Sequence, residues 1–148
     1  MKQPNSDHPV KILLVEDNPI DVRMIHYALQ EEATWPTEVV VAEDGDRAIQ
    51  YLMRHNSFAE ATKPDMVILD LNLPKRDGTE VLRTIRTAKG LQDLFVIVLS
   101  SLPEADSKDT VWRANLAADG YLTKPSEVSE FLTLGAVLRG CYNDRIRC

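Results

Sequence analysis

Five short apolar runs alternate with longer stretches of helical spacing, and that alternation limits the fold of this 148-residue chain more than any other feature. The runs are KILLV (11 to 15), EVVVA (38 to 42), MVILD (66 to 70), FVIVLS (95 to 100) and DGYLT (119 to 123). Strands separated by helices predict parallel pairing, because a parallel connection needs a crossover and the crossovers are helices. The strands are continuously apolar rather than alternating, which fits burial on both faces. The expected class is α/β: a doubly wound, five-stranded parallel sheet in (βα)5 sequence.

The helices carry their own signals. Asn18 can cap the first, Pro19 suits its first position, Asp21 complements the dipole of its first turn, and Ile25, Ala28 and Leu29 keep its period. A second is expected over 44 to 55 with Ala48, Ile49, Leu52 and Met53 inward. A third begins at Asp77, whose partner Glu80 makes a capping-box-like start, and turns Val81, Leu82 and Ile85 inward. A fourth is expected over 104 to 117 and a fifth over 126 to 142. No repeat or low-complexity tract divides the chain, so one domain is expected over 10 to 142, after a polar segment (1 to 9) and before a tail (143 to 148).

Composition excludes several classes. A net charge of −6 lacks the phosphate-neutralising surface that nucleic acid requires. No stretch of about eighteen uncharged apolar residues is present to cross a membrane, and the N-terminus MKQPNSDHP has no signal-peptide core. Cys141 and Cys148 both lie near the C-terminus and give no disulfide framework across the core, so a cytoplasmic setting is expected. His8, His26 and His55 show no ligand spacing and read as surface residues.

In doubly wound sheets ligands bind beyond the carboxyl ends of the strands. There the sequence puts Glu16 and Asp17 after strand one, Asp70 after strand three, Ser100 and Ser101 at strand four, and Lys124 with Pro125 after strand five. Clustered carboxylates resist joint ionisation unless a cation stands among them, and Mg2+ suits hard oxygen ligands beside phosphate. With the metal reducing repulsion, Asp70 can attack phosphorus while Lys124 and Ser100 neutralise the phosphoryl oxygens. The expected product is an aspartyl phosphate.

VEDN (15 to 18), ILDLNLPKRDG (68 to 78), VLSS (98 to 101) and GYLTKP (120 to 125), in this order at successive strand ends, resemble the receiver domain of bacterial two-component response regulators. The resemblance covers roughly residues 10 to 142 and implies the flavodoxin-like, CheY-like fold with strand order 2-1-3-4-5. It implies Asp70 as phosphoacceptor, Asp17 as a direct metal ligand, Glu16 reaching the metal largely through water, and the Asn72 carbonyl as a further ligand. It also implies Ser100 as the switch hydroxyl, Lys124 as the phosphate-pairing lysine, Tyr121 as an aromatic switch that turns inward, and a cis Lys124–Pro125 bond. Asp17 and Asp70 are 53 positions apart, longer than a typical receiver, with the excess in RHNSFAEATKP (54 to 64). That length and the wording LDLNLPKRDG resemble the small receivers paired with phytochrome-type histidine kinases.

The expected function is therefore phosphoryl acceptance from a sensor histidine kinase, phytochrome-type, followed by a surface change, with no enzymatic turnover. Leu102, two after Ser100, cannot orient an attacking water, so slow self-hydrolysis is expected. A haloacid-dehalogenase-type phosphatase also uses an aspartate after a parallel strand, but its general acid two positions on would here be Asn72, which cannot supply a proton. A receiver-like scaffold that is never phosphorylated is the third reading, and the intact set of acids with Ser100 and Lys124 argues against it. At 100° per residue the last helix carries two apolar stripes, Val128, Phe131, Leu138 and Tyr142, then Leu134, Val137 and Cys141. A band that wide suggests a homodimer through helix 4, strand 5 and helix 5.

Overall fold

The computed structural model describes residues 8–32, 34–54, 62–73 and 77–144. Five strands and five helices alternate: β1 (Val10–Val15), α1 (Pro19–Gln30), β2 (Thr37–Ala42), α2 (Gly45–Leu52), β3 (Met66–Leu69), α3 (Gly78–Thr87), β4 (Phe95–Ser100), α4 (Glu104–Arg113), β5 (Gly120–Thr123) and α5 (Val128–Asp144). The strands are parallel in the order β2-β1-β3-β4-β5, as expected. Most of the length excess at 55 to 61, and Pro74, lie outside the described residues.

Two apolar cores, one on each face of the sheet, account for the continuous apolar strands. Ile12, Leu14, Met66, Ile68, Ile97 and Leu99 face α1 and α5, while Leu13, Val15, Val67, Leu69, Val96 and Val98 face α2, α3 and α4. Successive side chains on a strand point to opposite faces, so each run needs apolar residues at every position. On the first face α1 and α5 touch: a Cβ at Gly135 would lie 2.2 Å from the Ala28 carbonyl oxygen, so only glycine permits this approach. Trp35 is buried in the same core with its ring 5.9 Å from that of Tyr142.

Local chemistry sets the helix ends. Asn18 accepts from the Ile20 and Asp21 N–H groups at 2.9 and 3.4 Å, Asp44 from Arg47 N–H at 2.8 Å and Asp77 from Glu80 N–H at 3.0 Å. Such a cap is worth about 1 kcal/mol. α4 ends four residues before the predicted Ala117 because Asn115 adopts a left-handed φ of 61°. The Asn115 and Leu116 N–H groups then reach back to the Trp112 and Val111 carbonyls at 2.9 and 3.1 Å, a Schellman closure.

Three expectations need correction. On α2 the buried aromatic is Tyr51, while Met53, predicted inward, caps the C-terminus and is exposed. On α5 the two predicted stripes merge into one core face: Phe131, Leu134, Leu138, Cys141 and Tyr142 are all buried, and Val128 and Val137 stand exposed on its opposite flanks. α5 packs against both the sheet and α1, and two neighbours bury a broader arc than a sheet alone. No described peptide bond is cis, so Lys124–Pro125 is trans, the isomer favoured by about 0.5–1 kcal/mol before proline.

Candidate functional site

Strand register builds the site. β1 and β3 pair with Val15 opposite Leu69, so the next residues, Glu16 and Asp70, emerge side by side at the carboxyl edge. The Asp70 N–H donates to the Val15 carbonyl at 3.1 Å, which extends the ladder by one bond and fixes where the carboxylate starts. Glu16, Asp17 and Asp70 each offer a carboxylate oxygen, all within 4.8 Å of one another. Glu16 and Asp70 are buried and Asp17 is exposed.

Lys124 enters this cluster from the far side of β4. Its N–H donates to the Ser100 carbonyl at 2.7 Å, continuing the β4–β5 pairing past Thr123. Its ammonium lies 2.5 Å from Glu16 Oε1, 2.9 Å from Asp21 Oδ2 and 3.0 Å from Asp70 Oδ2, and its side chain is only 8% exposed. The second oxygens of Glu16 and Asp70 are held by backbone donors: Asn18 N–H to Glu16 Oε2 and Asn72 N–H to Asp70 Oδ1, both at 3.2 Å.

The electrostatics follow from this crowding. Burial pushes the Glu16 carboxyl up to about 7; the Lys124 hydrogen bond opposes that rise, and the Asp70 charge adds to it. Burial also works against the Lys124 charge, but the hydrogen bonds to Glu16, Asp21 and Asp70 outweigh it and hold the ammonium firmly protonated. Four carboxylates against one ammonium leave excess negative charge at the edge, with Asp17 open to solvent. A divalent cation with oxygen ligands fits that donor set, held by Glu16, Asp17 and Asp70, with Asn72 on the following loop.

The other predicted residues lie around the cluster. Ser100 ends β4 fully buried, its Oγ accepting from Leu102 N–H at 3.2 Å. Tyr121 sits on β5 opposite Val98, half-buried, with its hydroxyl accepting from Ala118 N–H at 3.0 Å. It lines a cavity of about 280 Å3 with Lys108 and Trp112 of α4. The hydroxyl is thus held by the turn before β5, and the ring packs partly buried against the second core.

Asp21 is the residue that sequence reasoning missed. Its place in the first turn of α1 has a sufficient explanation in the helix dipole, yet its carboxylate also reaches Lys124. A signal was present, since Asn18, Pro19 and Asp21 start α1 directly above the acidic pair. Whether the third helical position faces the cluster or water depends on the angle of α1 to the sheet.

Residues 12–134 match the response regulator receiver domain family. The response regulator Rcp1 of Synechocystis is 33% identical over 87% of this chain and 86% of its own length. Among solved structures, the phosphorylated cyanobacterial phytochrome response regulator RcpA is 35% identical, with a TM-score of 0.81 over 93% of this chain and 96% of that one. The Mn2+-bound form of Rcp1 is 30% identical, with a TM-score of 0.77 over 89% and 93%. Other curated relatives are longer, and the chain spans only 42% of the alkaline phosphatase synthesis transcriptional regulatory protein PhoP of Bacillus subtilis.

Proposed function

The chain belongs to the response regulator receiver family, and from that premise we propose that Asp70 is its phosphoacceptor, that Glu16, Asp17, Asp70 and the Asn72 carbonyl form its Mg2+ site, and that Ser100, Tyr121 and Lys124 carry the response. The observation that supports this most is the Lys124 ammonium 3.0 Å from Asp70 Oδ2, beside two further acids. The donor is a histidine kinase, and its phytochrome type is supported by the likeness to RcpA, a phytochrome response regulator.

In the transfer, the phosphorus–nitrogen bond of the donor phosphohistidine breaks as a bond forms from phosphorus to an Asp70 carboxylate oxygen. A bound divalent cation supplies charge neutralisation for the phosphoryl oxygens and lowers their repulsion by the acids. Lys124 contributes a fixed ammonium whose side chain is already desolvated, so little reorganisation is required as charge develops. The Ser100 hydroxyl, which accepts from the Leu102 N–H, moves toward a phosphoryl oxygen and donates its own O–H to it. That movement favours an inward Tyr121, and the phosphoryl group biases the two-state equilibrium through contacts made in one state alone.

Leu102, exposed beside Ser100, offers no group to orient water, so the acyl phosphate is long-lived in this proposal. The family match gives a phosphatase reading no support, and Asn72 stands where that chemistry needs an acid. A homodimer through α4, β5 and α5 is also proposed, resting on Trp112 and Val137, which remain exposed.

The test is Asp70→Asn with a phosphorylated histidine kinase or acetyl phosphate as donor. The variant is expected to take up no acid-labile, hydroxylamine-sensitive phosphate. Uptake equal to wild type would refute the assignment.

A further inference from the structure

The Lys124 ammonium has three carboxylate neighbours within 3.0 Å, Glu16, Asp21 and Asp70, and donates hydrogen bonds to Asp21 and Asp70. A phosphoryl oxygen arriving on Asp70 meets an ammonium already crowded by three carboxylates, and it gains full contact with Lys124 when one neighbour gives way. Glu16 cannot leave easily: its side chain is 1% exposed and its other oxygen is held by the Asn18 N–H. Asp70 carries the phosphoryl group itself. Asp21 alone is outside the metal-ligating trio, and its side chain is 22% exposed on the first turn of α1, with water to turn into.

Resting on the phosphoacceptor reading, we propose that Asp21 is a positioning residue that occupies the phosphoryl place on Lys124 in the resting protein and is displaced when the phosphoryl group arrives. Before phosphorylation its carboxylate keeps the ammonium aimed into the site. Afterwards the same carboxylate competes for that ammonium and repels the phosphoryl dianion. Asp21 thereby favours the resting state and weakens retention of the group.

The experiment measures binding of beryllofluoride, a non-covalent phosphoryl mimic, by 19F NMR at saturating MgCl2, for wild type, Asp21→Asn and Asp21→Ala. Losing a competing, partly exposed ion pair is expected to tighten binding about fivefold in both variants. Bare repulsion by a nearby charge would tighten it too, but salt separates the two causes. The Debye length falls from about 10 Å at 0.1 M to about 3 Å at 1 M, so distant repulsion fades while competition for a direct hydrogen bond persists.

A gain present at both about 0.1 M and about 1 M KCl supports the proposal. A gain lost at high salt, or variants that bind as wild type or more weakly, overturns it. If wild type binds no better than Asp70→Asn, the phosphoacceptor reading itself fails and takes this inference with it.

Discussion

Lys124 and Asp70 face each other at 3.0 Å, ammonium to carboxylate, each side chain less than a tenth exposed. Lys124 is therefore a structural counter-charge, beyond the phosphate-pairing role proposed for it, because it also balances Glu16 and Asp21. Lys124→Met leaves buried acids uncompensated, a change that typically costs about 3–5 kcal/mol. The expected outcome is a loss of that order in urea unfolding at neutral pH with EDTA, recovered in large part by MgCl2. An unchanged midpoint in EDTA would show that the acids are already relieved by other means.

The pH dependence of the metal-free protein should carry the mark of Glu16. Its carboxyl titrates at about 7 in the fold and at 4.5 when unperturbed, with burial the main cause, so the folded state holds the extra proton between those values. Stability from this group is then complete below 4.5, falls as pH rises towards 7, and is absent above it. Glu16→Gln cannot titrate and removes that slope. The difference between wild type and variant, from urea unfolding at a series of pH values in EDTA, should shift against wild type by on the order of 1–3 kcal/mol across the window. A difference that is flat or of opposite sign would contradict the assignment.

Gly78 couples the fold to the site. A Cβ there would lie 2.4 Å from the Asp70 carbonyl oxygen and 2.5 Å from the Leu71 Cα, both backbone atoms that cannot swing aside. Alanine is the better helix former by about 1 kcal/mol, but the clash outweighs it. Gly78→Ala should cost about 1–3 kcal/mol in thermal or urea unfolding. It should also slow acetyl phosphate uptake on the order of tenfold or more, because Asp70 is displaced with its carbonyl. Loss of stability with undiminished uptake would show that the loop yields without moving the carboxylate.

The order of the elements was legible because the central strands β1, β3 and β4 are largely apolar on both faces and four acids or hydroxyls with one lysine stand at strand ends. Periodicity marks such features directly, and so Glu16, Asp17, Asp70, Ser100 and Lys124 could be placed on one edge. Asp21 was not legible as a site residue, since its direction depends on how α1 packs, a property of Gly135, Ala28 and the core between them. The α5 stripes failed for a related reason. A helical wheel gives angles within one helix, and only the neighbours decide how wide an arc they cover.

Those neighbours also say which flank of α5 is free. Gly135 contacts the Ala28 carbonyl, and Arg139 reaches Glu32 at 2.9 Å and Thr34 at 3.1 Å, so the flank bearing these residues lies against α1 and its following turn. At 100° per residue Val137 is on the opposite flank, turned away from α1, and it is 44% exposed. Trp112 on α4 is 59% exposed, with the Lys108 ammonium 4.8 Å from its ring centre. A stable dimer needs about 800 Å2 from each partner, more than these two side chains provide, so β5 and the rest of both helices must join the contact. Sedimentation of wild type against Val137→Glu tests this: a dimer that becomes monomeric on substitution, with the melting temperature preserved, is the expected result. A wild type that sediments as a monomer, with and without beryllofluoride, would remove the dimer from the account of this protein.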